Sequence, residues 1–108
     1  MKLMTQAIEK KIPKLGETEN IAVEDKRLYV KFFHPFSTWK WYGAEYDPKT
    51  REFFGYVVGD FPEWGYFNLD QLEEIEIGWS DNSPVKLGIE RDKHWDDKNT
   101  LKEVLREA

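Results

Sequence analysis

Polar and apolar positions alternate in the middle of the chain and follow helical spacing only near its two ends. Leu28, Val30 and Phe32 recur at every second position in a run of β-branched and aromatic residues closed by Pro35. That pattern predicts a first strand over about 27–36 with those three side chains on one face. A second strand is predicted over 39–46, with Trp39, Trp41, Gly43 and Glu45 on one face and Lys40, Tyr42, Ala44 and Tyr46 on the other. Between it and a third strand over 52–59 lies Asp47-Pro48-Lys49-Thr50-Arg51. Proline suits the second position of a type I turn and aspartate the first. Setting Glu45 against Glu52 would oppose two carboxylates, so a bulged loop is preferred, pairing Tyr46 with Glu52 and Gly43 with Gly55. Facing glycines would leave a dent in the sheet. A second turn, Gly59-Asp60-Phe61-Pro62-Glu63, leads into a short fourth strand, Trp64-Gly65-Tyr66-Phe67.

Thr5 is a good N-cap, and Leu3, Ala7 and Ile8 with Ile12 or Leu15 can form an apolar stripe, predicting a helix over about 5–11 that Pro13 stops. Asn68 and Gln71 make a capping box for a second helix over about 69–75, with Leu69, Leu72 and Ile75 on one side. Thr100 and Glu103 make another, opening a helix to about Arg106. Residues 16–25 read as an acidic loop, Ile77 and Trp79 as a brief extended stretch, 81–84 as a loop and 87–95 as a last strand. The fold class is therefore α+β: one domain built on an antiparallel, aromatic-rich meander of four to five strands with short N-terminal, middle and C-terminal helices.

Charge and composition narrow the function. Of seventeen aromatic residues, fifteen lie between Tyr29 and Phe67, so one segment supplies both the core and the best candidate surface. The chain has no cysteine, which removes thiol chemistry, disulfides and Cys-based zinc sites and favours a reducing compartment. No run is apolar enough to span a bilayer and the N-terminus lacks a secretion signal, so a cytoplasmic location is expected. Residues 1–68 are electrically balanced, and residues 69–108 carry the entire net charge of −5. Proteins that grip phosphate backbones usually show the opposite sign, so duplex nucleic acid is an unlikely ligand and a basic protein partner an easier one.

The runs Trp41-Tyr42-Gly43-Ala44-Glu45-Tyr46-Asp47-Pro48 and Gly59-Asp60-Phe61-Pro62-Glu63-Trp64-Gly65-Tyr66-Phe67, with Leu69-Asp70-Gln71-Leu72-Glu73 and Ile89-Glu90-Arg91-Asp92, resemble a family of small prokaryotic proteins classed as a domain of unknown function. The resemblance covers about residues 3–95; residues 78–85 match poorly and the last dozen residues have no clear counterpart. It implies a setting on plasmids, phages or integrated elements, near genes for DNA transfer or for evading host defence. It brings no activity, cofactor or catalytic residue.

Candidate sites follow from the residues themselves. The Asp60–Gly65 turn sets two carboxylates and an indole beside Pro62 and flexible glycines, on a loop held by two strands. Asp60, Pro62, Glu63 and Trp64 are thus the leading binding residues, with Trp64 as the anchor, or they simply cap and fill the turn. Trp41 and Tyr42, with Trp39, Tyr46, Phe54 and Tyr56, can make a platform that stacks bases, or ordinary core pairs. Arg91 can pair with Asp60 or Glu63, or hold an anion. Glu45, Asp47 and Glu52 can gather a divalent cation, though their spacing fits no defined loop. His34 and His94 stand outside any metal motif, and no phosphate loop or nucleophile elbow occurs, so neither metal nor cofactor is expected. The favoured reading is a non-enzymatic protein-interaction module, an accessory or anti-defence factor of a mobile element. The alternatives are a small ligand-binding protein or hydrolase using Asp60, Glu63 and Arg91, and an acidic DNA mimic. Oligomeric state is not readable from the sequence.

Overall fold

Thr5 caps the first helix, α1 (Gln6–Lys11), its hydroxyl accepting from the Ile8 amide. The structure is a computed structural model and describes residues 2–77 and 87–107. After a single 3-10 turn at Val23–Asp25 come four antiparallel strands in sequence, β1 (Val30–Phe33), β2 (Lys40–Asp47), β3 (Glu52–Val58) and β4 (Pro62–Asn68). Asn68 then accepts from the amides of Asp70 and Gln71 to start α2 (Leu69–Glu74). Three two-residue strands follow, β5 (Glu76–Ile77), β6 (Leu87–Gly88) and β7 (Glu90–Arg91), before α3 (Leu101–Glu107). The main sheet has the order β4-β3-β2-β1-β7, and β5 pairs with β6 apart from it. The α+β class, the meander and the three short helices agree with the sequence reading. Trp79 and the loop expected at 81–84 lie outside the described residues.

Both faces of the sheet carry apolar side chains, and each packs under different cover. On one face Val30, Phe32, Trp41, Tyr46 and Phe53 pack with Leu3, Met4 and Ile12 from the N-terminal segment and with Leu69 and Leu72 from α2. Phe53 is the hub, edge-on to Phe32 at 5.6 Å, tilted on Tyr46 at 4.5 Å and stacked on Phe67 at 4.9 Å. On the other face Leu28, Tyr42, Ala44 and Tyr56 lie under Leu101 of α3, with Trp95 packed beside them. The Trp95 indole donates to the Leu28 carbonyl at 2.7 Å, tying that cover to the start of β1.

Strict alternation fails at two places, in β2 and just before β1. A bulge between Gly43 and Glu45 inserts Ala44 into β2, so Tyr46 joins the Trp41 face instead of the Tyr42 face predicted for it. Leu28 correspondingly packs opposite to Val30 and Phe32, because regular pairing starts only at Val30. Gly43 does face Gly55, but Tyr46 pairs with Phe53 and Asp47 with Glu52. The extra residue thus sits in the strand, and the loop, residues 48–51, keeps four. Asp47 stabilises it by accepting from the Lys49 amide at 2.8 Å, and Arg51 closes it at φ 61°.

The facing glycines leave no dent. A side chain at Gly43 would meet Phe53 at 2.8 Å and Val30 at 2.9 Å, and one at Gly55 would lie 1.8 Å from the Tyr42 carbonyl oxygen. β4 is longer than predicted, starting at Pro62, since a proline is tolerated where a strand begins on an open edge. The predicted last strand, 87–95, is broken into β6 and β7, which join different sheets.

Candidate functional site

The pairings of β1 to β4 place Lys31, Tyr42, Tyr56 and Trp64 in one row across the α3 face of the sheet. Phe54 and Tyr66 form the next row on β3 and β4. Tyr42 is 6.4 Å from Tyr56, Tyr56 is 5.6 Å from Trp64, and Phe54 contacts both Trp64 at 5.5 Å and Tyr66 at 5.2 Å. Leu101 of α3 and Trp95 cover Leu28, Tyr42, Ala44 and Tyr56 on this face, and the cover stops short of Tyr66. Tyr66 is 66% exposed and Phe61, at the tip of the turn into β4, is 79% exposed.

β4 is also the outer edge of the sheet. Seven residues of it pair with β3 alone, whereas the opposite edge is the two-residue β7. Long open edges are normally blunted by charge, bulges or cover. Here no bulge interrupts the β3–β4 register, and nothing lies within 4 Å of where a Gly65 side chain would point. Asp60 and Glu63 are exposed and have no hydrogen-bond or ion-pair partner among the described residues.

The other sequence candidates are dispersed. Asp60, Pro62, Glu63 and Trp64 share the β4 end of the sheet, but Trp64 is half-buried against Phe54 and Tyr56 rather than a free anchor. Trp41 belongs to the opposite core, with Trp39 at 5.8 Å from it. Tyr42 is buried beneath Trp95. Arg91 lies on β7 and donates to the Leu3 carbonyl at 2.7 Å. With three strands between β7 and β4 at about 4.8 Å per step, roughly 19 Å separates it from Asp60 and Glu63, so the three do not converge. The exposed aromatics the sequence reading passed over are Phe36, in the turn between β1 and β2, and Phe61 and Tyr66 at the β4 end. Tyr66 was findable, standing two residues from Trp64 on the same face, and so was Phe61 as an apolar residue on a turn.

The proposed carboxylate group dissolves too. The bulge carries Glu45 inward, where it accepts from the Gly16 amide at 2.8 Å, the Thr18 amide at 3.1 Å and the Thr18 hydroxyl, with Lys26 Nζ at 3.8 Å. Burial alone would push this carboxyl up, but the Thr18 hydroxyl, the two amides and the Lys26 charge together hold it below the ordinary carboxylate range. Asp47 is occupied by its turn. Among the described residues no three Asp, Glu or His side chains gather as a cation would require. No described helix is long and apolar enough to cross a membrane.

Comparison with known proteins adds one match. A family model described as protein of unknown function (DUF2958) matches residues 3–108, including the C-terminal helix, past the limit near residue 95 that the motifs alone indicate. No curated protein and no solved structure matches the chain.

Proposed function

The chain belongs to the DUF2958 family, and on that premise we propose that it is a non-enzymatic protein-interaction module that takes an extended, basic segment of a partner protein along the open edge of β4. The observation that carries this reading is the uninterrupted outer edge at Pro62–Asn68, with Phe61 and Tyr66 exposed beside it. An added strand would satisfy the outward backbone groups of β4 and lay alternate side chains on Tyr66 and Phe54. The unpartnered carboxylates of Asp60 and Glu63 fix the sign of the partner, and the acidic residues 69–108 add to the steering. Phe61 and Tyr66 take the anchoring role, since aromatic rings bury large area with few rotors. The setting implied by the family resemblance, an accessory or anti-defence factor of a mobile element, suits a protein that works by occupying another protein.

A titration with two synthetic octapeptides, one alternating lysine with valine and one alternating glutamate with valine, tests it. The lysine peptide is expected to shift the amide resonances of β4 and to lose affinity in the Asp60→Lys/Glu63→Lys double variant. Equal binding of both peptides, or shifts confined to other strands, contradicts it.

A further inference from the structure

A second surface lies on the same face of the sheet and touches the β4 edge only at Pro62. Between α3 and the sheet runs a groove of about 370 Å³ walled by Tyr42, Tyr56, Trp95 and Val104, with Lys31 and Lys40 at its β1–β2 end. A second hollow of about 370 Å³ begins at the same two lysines and extends to His34 and Ser37 in the turn between β1 and β2. The lysines therefore stand at the junction of an aromatic slot and a polar cup.

The chemistry of the two halves differs in a definite way. In the slot, Tyr42 and Trp95 are 5.4 Å apart and tilted, and Lys31 Nζ lies 5.9 Å and 5.7 Å from their ring centres. These two rings are in contact and leave no gap between them, so a flat ring entering the groove lies along its Tyr56, Trp95 and Val104 walls. In the cup, the groups available are donors, apart from the Asp92 carboxylate. Lys40 has no partner among the described residues. His34 Nδ1 accepts from the Phe36 amide at 3.1 Å, which leaves Nε2 to carry a proton outward. Ser37 Oγ accepts from the Trp39 amide at 3.1 Å, leaving its hydroxyl proton to donate. Asp92, 3.8 Å from Lys31 Nζ, offsets one lysine and leaves the other uncompensated. Two ammonium groups, an imidazole N–H and a hydroxyl facing one hollow suit a phosphate.

We infer that this paired hollow binds a free nucleoside monophosphate, with its base in the groove along Tyr56, Trp95 and Val104 and its phosphate at Lys31, Lys40 and His34. The inference does not depend on the β4 edge, and either can fail alone.

The test is a resonance titration of the intact protein with adenosine 5′-monophosphate, adenosine and inorganic phosphate, repeated with the Lys40→Gln variant. Adenosine monophosphate should shift the amides of Lys31, Lys40, Tyr42 and Tyr56 and the Trp95 indole signal saturably. It should bind about tenfold or more tightly than adenosine, the difference expected of charge-assisted hydrogen bonds to a phosphate. Lys40→Gln should weaken the monophosphate about tenfold and leave adenosine within about twofold, a split that a merely structural lysine would not produce. Unchanged spectral dispersion checks that the variant is folded. The inference is overturned by the absence of saturable shifts up to about 10 mM, by adenosine binding as well as the monophosphate, or by shifts elsewhere in the fold. A 5′-phosphorylated oligonucleotide binding more than about tenfold tighter than the monophosphate would equally overturn it, in favour of a single strand.

Discussion

Replacing Glu45 by alanine should cost more stability than any exposed charge in this protein. Glu45 is 4% exposed and its buried counterpart Lys26 is 5% exposed. The carboxylate is the acceptor for two loop amides and one hydroxyl, so its loss leaves the Gly16 and Thr18 N–H groups unpaired. The Lys26 ammonium then keeps only the Thr18 carbonyl and hydroxyl as neighbours. Removing one partner of a buried pair costs about 3–5 kcal/mol, because the remaining charge stays desolvated. Against a typical domain stability of about 5–15 kcal/mol, that is about a fifth of the total at least. Urea unfolding followed by tryptophan fluorescence at neutral pH measures it. Lys26→Met should cost less, about 1–3 kcal/mol, since the carboxylate retains its three donors. The double variant Glu45→Gln/Lys26→Met should cost less than the sum of its singles. The pH dependence follows from the depressed carboxyl. The unfolded chain takes up this proton more readily than the folded one, so the stabilisation is whole above pH 4.5 and is lost as the pH falls through the lower, folded value. Glu45→Gln should remove that part of the acid limb. A cost below about 1 kcal/mol for Glu45→Ala would refute the view that this pair pins residues 16–26 to β2.

Three further outcomes follow from the geometry of single residues. Gly55→Ala should cost roughly 3 kcal/mol or more, because its methyl has only the Tyr42 carbonyl to displace, whereas Gly65→Ala should lie within about 1 kcal/mol of wild type; parallel thermal melts decide. Arg51 holds a left-handed backbone while bridging Asp70 at 2.6 Å and Glu73 at 2.7 Å, so Arg51→Gly should be about 1 kcal/mol more stable than Arg51→Ala in urea, both having lost the same half-exposed ion pairs. Trp64→Ala should destabilise the fold by about 2 kcal/mol, while Tyr66→Ser should leave the melting temperature nearly unchanged and remove binding of the lysine peptide.

The meander and helix caps were legible because their signals are local. Thr5, Asn68 and the Asp47-Pro48 turn each act over three or four residues, and the structure uses all three. What escaped was set by contacts between distant segments. Alternation in β2 reads as one buried and one exposed face, but Leu101 and Trp95 cover the second face from the far end of the chain, so both faces are apolar. The bulge at Ala44 has no local signature. It is stabilised by the close seating of Gly55 under the Tyr42 carbonyl and by Glu45 finding Gly16, Thr18 and Lys26. Lys26, in a polar stretch, reads as a solvated charge until that partner is known. The Pro62 turn was legible as a loop, while its anchors were misassigned. Trp64 looked the stronger candidate by size, yet its own ring contacts bury it and leave Phe61 and Tyr66 outward.

Amide hydrogen exchange across β4, with and without the lysine–valine octapeptide, is the most direct measurement of the docking surface. The outward-facing amides between Glu63 and Phe67 should exchange rapidly in the protein alone and become protected when the peptide is added, with Trp41 and Phe53 unchanged. Amides already protected in the free protein, or still unprotected at saturating peptide, would contradict a strand-accepting edge.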